Sequence, residues 1–195
     1  MSGHGFIKER IRASVAVKEQ LMKDENLLGL IGSVAEEMAN TFKAGGCVLF
    51  CGNGGSAADA QHISAELSGR FYNDREPLNA EALHVNTSYM TAVANDYSYD
   101  EVYARLVKAK GRKGDMLVAI STSGNSANIV KAVETANRLG MITVGLTGES
   151  GGKMKGLCKY LVNIPSKDTP RIQESHILVG HIICELVEQK LFGKV

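Results

Sequence analysis

Five short apolar runs, interspersed with segments of helical periodicity, constrain this 195-residue chain more than any other feature. The runs are "CVLFC" (47–51), "EALHV" (81–85), "MLVAIS" (116–121), "ITVGLT" (142–147) and "YLVNI" (160–164). Helical segments fall at about 56–71, 99–110, 126–139 and 169–192. Near-continuous apolar strands that alternate with helices predict a parallel sheet covered on both faces. Right-handed crossovers then favour a doubly wound α/β sandwich of three layers. In such sheets ligands bind outside the carboxyl ends of the strands.

The first 45 residues read as helix. Leu27, Leu28, Leu30, Ile31, Val34, Ala35, Met38, Ala39 and Phe42 follow the three-and-four spacing of an amphipathic helix, which Gly45-Gly46 ends. Phe6 to Met22 is periodic but weaker, which suits packing against another subunit. Nothing divides the chain, so residues 1–195 are expected to form one domain.

Bulk properties exclude several classes of function. A formal charge of +1 carries no nucleic-acid footprint. The basic stretch "RLVKAKGRK" (105–113) reads as a solvated helix end. No apolar stretch approaches a membrane span, and no basic segment followed by an apolar core opens the chain. Cys47, Cys51, Cys158 and Cys184 lack zinc-site spacing. Cys47 and Cys51 bracket one strand, too far apart to pair, so they read as small buried hydrophobes suited to a reducing cytoplasm.

Two stretches echo one another. "LFCGNGGSAADA" and "AISTSGNSANIV" each run from an apolar strand through a Gly/Ser/Asn turn into a helix. Turns of this kind share one edge of a parallel sheet and can face one ligand together. The glycines at 52, 54 and 55 leave backbone bare, while Ser121, Thr122, Ser123 and Ser126 supply hydroxyls at the start of a helix. Unpaired amides and partial positive charge there suit a phosphate. Simple N-capping accounts for one such serine, not for four hydroxyls in six residues. Neither a Walker loop nor GxGxxG is present, so no nucleotide cofactor is expected.

His62 and Glu66 lie four apart and share a helix face. The pair can ligate a metal, place a carboxylate base beside a polarising group, or form a surface contact. Arg70, four residues further on, reads equally as a partner of Glu66 or as a substrate contact. The last helix opens with Pro170 and is mostly apolar, yet carries Gln173, Glu174, His176 and His181. Buried polar groups need partners, so some of these meet ligand, metal or another subunit. Gln173 and His181 are eight apart, roughly 12 Å along a helix axis, a long span for one small site. Asn95-Asp96 suits either a loop cap or recognition of sugar hydroxyls, and His84 reads as a structural residue within a strand.

With "CGNGGSAADAQHISAELSGRF", "ISTSGNSANIVKA", "LTGESGGKMKG" and "RIQESHILVGHIICELVE" in one chain, the sequence resembles the sugar isomerase (SIS) domain family over nearly its whole length. The resemblance implies a five-stranded parallel sheet between helices, assembled as a homotetramer with active sites between subunits. It implies aldose–ketose isomerisation of sedoheptulose 7-phosphate to D-glycero-D-manno-heptose 7-phosphate, toward bacterial surface heptose. Glu66 and His181 would be the acid/base pair. Ser56, Ser121, Thr122, Ser123 and Ser126 would contact phosphate and substrate, and Asn53, Gly54, Gly55, Asn95 and Asp96 would line the sugar. His62, Glu66, Gln173 and His181 would hold one zinc per subunit, with Glu66 and Gln173 also touching substrate. Non-catalytic relatives, among them a protein that binds a replication initiator, share the glycine turn and the "RIQE" helix start but depart at the positions of Glu66 and His181.

Overall fold

The computed structural model describes residues 3–193. Two helices lead, α1 (Gly3–Lys23) and α2 (Glu25–Lys43). Asp24 separates them and caps α2 by accepting the Leu27 amide at 3.0 Å. The alternating part follows as β1 (Val48–Gly52), α3 (Gly55–Ser68), β2 (Ala80–Ala82), α4 (Thr87–Asp96), α5 (Val102–Lys110), β3 (Met116–Ile120), α6 (Ala127–Arg138), β4 (Ile142–Thr147), β5 (Tyr160–Asn163) and α7 (Thr169–Phe192). Short 3-10 turns at Tyr99–Glu101 and Gly152–Met154 complete it.

The sheet is parallel throughout, with strand order β2-β1-β3-β4-β5. Alternate residues of each strand feed two cores. Val48, Phe50, Met116, Val118, Ile120, Val144 and Leu146 meet α1, α2, α3 and α7 on one face. Leu49, Cys51, Leu117 and Ala119 meet α4, α5 and α6 on the other. This is the expected three-layer sandwich, and burial on both faces explains why the strands read as unbroken apolar runs.

Two expectations need correction. The second strand is three residues long instead of five, because it is an edge strand paired only to β1. Beyond it the chain turns away, so His84 lies past the strand's end. A helix not expected from the sequence, α4, precedes residue 99, and its N-cap Asn86 accepts from the Tyr89 amide at 3.0 Å. Val93 is the one buried residue of that helix, so its apolar periodicity was too thin to read. Asn95 and Asp96 therefore end a helix rather than occupy a loop.

Strand order reverses between β1 and β3, where connections leave in opposite directions and open a crevice at the carboxyl ends. Gly52 and Ile120 are register partners there, so the two echoed turns emerge level and side by side.

Candidate active site

Close approach dictates the first turn. A Cβ on Gly52 would stand 2.3 Å from the Ser56 carbonyl oxygen, and Gly54 has φ 55°, which only glycine adopts readily. No side chain caps α3 or α6, although Ser126 occupies the N-cap position of α6. Its hydroxyl instead lies 3.2 Å from that of Ser121, which is nearly buried. This hydroxyl pair stands at the N-terminus of α6 beside the switch point, a setting for an anion. The Ser123 hydroxyl accepts from the Asn125 amide at 3.2 Å within its own turn. Thr122 and Ser123 also line a concavity of about 320 Å³ with Glu149, Ser166 and Lys167, which holds none of His62, Glu66 and His181.

Asn53, expected to line the sugar, is also bound within the protein. Its side-chain amide pairs with that of Asn128 in both directions at 2.9 Å, and its oxygen accepts from the Tyr99 hydroxyl at 3.2 Å. Asn128, 2% exposed, also accepts the Ile129 amide. Asn53 therefore ties the two turns together. Sequence reasoning missed Asn128, whose one signal was a polar residue on the inner face of an amphipathic helix. Asn95 and Asp96 are exposed and bond to each other at 3.0 Å.

The chemical centre lies between α3 and α7. His62 Nε2 is 3.0 Å from Glu66 Oε1 and 3.0 Å from His181 Nε2. The His62 ring is half-exposed, while Glu66 and His181 are partly buried. One N–H shared at His62 Nε2 can serve either neighbour. Asp59, a turn earlier, has a buried carboxylate oxygen without a hydrogen-bond partner. Burial lifts its carboxyl to about 6, with His62 pulling it partly back.

These three ligand atoms all lie within 4.8 Å of one another. Two imidazole nitrogens and a carboxylate oxygen suit zinc. Donors at the usual zinc distances sit roughly 3.3 Å apart on a tetrahedron, close to the spacing here. Gln173, expected as the fourth ligand, rests its amide against the first turn of α3, where a Cβ on Gly55 would lie 2.5 Å from its Nε2. Two further polar groups of α7 have partners within the fold. Glu174 accepts from Ser14 at 2.7 Å and pairs with Arg171, which holds α1 against α7. His176, fully buried, has Nε2 3.1 Å from the Thr147 carbonyl oxygen. Arg70 is exposed, and Glu66 pairs with His62 instead.

Residues 11–148 match the SIS domain. This chain belongs to the SIS domain family. Among its relatives, phosphoheptose isomerase of Aneurinibacillus thermoaerophilus is 53% identical over 187 residues, covering 96% of this chain and 94% of that protein. Phosphoheptose isomerase 2 of Campylobacter jejuni is 52% identical, covering 98% and 95%. The solved structure of phosphoheptose isomerase from Neisseria gonorrhoeae superposes with a TM-score of 0.91 at 41% identity, over 96% of this chain and all of that one.

Proposed function

We propose that this chain is a phosphoheptose isomerase, an enzyme that converts sedoheptulose 7-phosphate to D-glycero-D-manno-heptose 7-phosphate. The observation that carries the reading is the contact of His62 with both Glu66 and His181 at 3.0 Å, drawn from two helices beside the switch-point turns. Two relatives above 50% identity over nearly the whole chain, each named phosphoheptose isomerase, support it.

Isomerisation moves a proton between C1 and C2 through a cis-enediol. Glu66 takes the proton from one carbon and returns it to the other, while His181 carries the proton between O1 and O2. Ser56, Ser121, Thr122, Ser123, Ser126 and the first-turn amides of α6 hold the phosphate. Gly54 and Gly55 bring backbone against the sugar, with Asn95 and Asp96 at its rim. His62, Glu66 and His181 would hold zinc, one per subunit, and Gln173 is the fourth candidate ligand. Zinc there would supply Lewis-acid polarisation of the sugar carbonyl.

The assembly we propose is a homotetramer with sites between subunits. Phe6, Ile7, Ile11 and Val15 form an apolar stripe on α1 and are 54%, 55%, 58% and 46% exposed, which suits a partner copy. Four free cysteines, and no described helix long and apolar enough to cross a membrane, suit a cytoplasmic step toward bacterial surface heptose.

The test is incubation with sedoheptulose 7-phosphate followed by NMR. Appearance of the aldose is expected. Tight binding without turnover would overturn the reading in favour of a non-catalytic sugar-phosphate-binding or replication-initiator-binding scaffold.

A further inference from the structure

An ion pair two turns beyond His181 on α7 reaches the catalytic helix α3. Glu188 is fully buried, and its partner Arg75, in the segment after α3, has a side chain only 3% exposed. The Arg75 Nε donates to Glu188 Oε1 at 2.9 Å. Its Nη1 donates to the carbonyls of Leu67, Gly69 and Glu76, and its Nη2 donates to the carbonyl of Glu66 at 2.8 Å. A planar guanidinium thus caps the last carbonyls of α3, Glu66 included.

Glu188 in turn accepts the backbone amides of Phe71, Tyr72 and Asn73 at 3.1, 2.9 and 3.0 Å. Burial alone would raise its carboxyl, but these amides and Arg75 hold it below the ordinary carboxylate value, so it stays charged. The chain fixed by those bonds places the Phe71 ring against His181, with centroids 5.7 Å apart and planes 23° from parallel. A side chain at Gly180 would collide with Ile63 at 2.4 Å, so the two helices meet closely beside His181. One buried charge pair therefore touches the backbone of Glu66 and, through Phe71, the face of His181.

We propose that Arg75 and Glu188 are positioning residues for the His62–Glu66–His181 centre, locking α3 to α7 and setting the His181 ring through Phe71. A buried pair is weak as a stabiliser, because desolvation offsets its attraction. Its worth here lies in geometry, as with other groups that orient the ligands of a metal or catalytic centre. This inference rests on the isomerase reading for its kinetic consequence but not for its structural one.

The variants are Arg75→Lys, which keeps charge but loses the fork, and Phe71→Leu, which keeps apolar bulk but removes the stacked ring. Val107→Ala, on the buried face of α5 in the opposite core, serves as a destabilised control. In folded, metal-free protein the His181 imidazole resonances should shift in both variants and not in the control. Zinc affinity, measured by chelator competition, should weaken by roughly 10- to 100-fold. With sedoheptulose 7-phosphate, kcat should fall about tenfold or more while KM stays within about twofold.

Wild-type His181 resonances in either folded variant would overturn the proposal, and so would an equal shift in the control. If wild type neither binds zinc nor turns over, the functional reading fails, and the His181 resonances still decide the positioning role.

Discussion

The side-chain amides of Asn53 and Asn128 hydrogen-bond to one another in both directions at 2.9 Å, joining the turn after β1 to the first turn of α6. Both turns leave the sheet at the point where strand order reverses. Truncating Asn128 removes two hydrogen bonds from the partly buried Asn53 amide, which typically costs about 1 to 3 kcal/mol. Asn128→Ala should therefore lower the unfolding free energy by that amount, shift the urea midpoint down accordingly, and raise KM for the phosphorylated sugar. An unchanged midpoint would mean that water replaces the lost amide without penalty.

Glu66→Gln keeps size and hydrogen-bonding capacity but removes the basic carboxylate. Losing a positioned acid/base group costs roughly 10² to 10⁴ in rate, so kcat should fall at least a hundredfold with KM little changed. Zinc content must be measured on the same sample, because Glu66 also belongs to the candidate metal set. A metal-replete mutant that turns over at the wild-type rate would remove Glu66 as the base.

Ser121→Ala combined with Ser126→Ala deletes both hydroxyls of the 3.2 Å pair. Each hydrogen bond to a charged group is worth about 1.5 to 3 kcal/mol. KM for the heptose phosphate should rise at least tenfold, and kcat should move less. Steady-state kinetics on both parameters tests this, and wild-type KM would sink the phosphate assignment.

Acid should destabilise the fold through His176. Burial holds this imidazole at about 4, although its bond to the Thr147 carbonyl pulls the other way. An unfolded histidine takes up its proton near pH 6.5. Between those values the unfolded chain binds more protons than the folded one. The stabilisation is thus whole above pH 6.5 and drains as pH falls toward 4, by about 3 kcal/mol in all. Urea midpoints measured from pH 7 to pH 4 should drop more steeply for wild type than for His176→Gln. Parallel slopes would count against it.

Metal content gives a second handle on the centre. Protein purified without chelator should carry zinc, and removing it should cut turnover while leaving the α/β fold intact by circular dichroism. Full activity after stripping would leave acid/base chemistry alone.

Local sequence patterns determined the layered fold. Apolar runs such as 116–121 can be satisfied only by burial on both faces, and the Gly/Ser/Asn turns have backbone requirements visible in the residues themselves. His62 and Glu66 were legible for the same reason, since four residues on a helix bring two side chains to one face. Tertiary structure alone decided what meets that face. His181 comes from 119 residues away to stand 3.0 Å from His62, and no local spacing encodes that distance. The roles of Asn53, Asn128, Arg75 and Glu188 were equally hidden, because each depends on a partner far along the chain. Periodicity reports which way a side chain points from its own backbone. It does not report which second element arrives there, and that is set by the crossover order of the sheet and the close approach of α3 to α7 at Gly180.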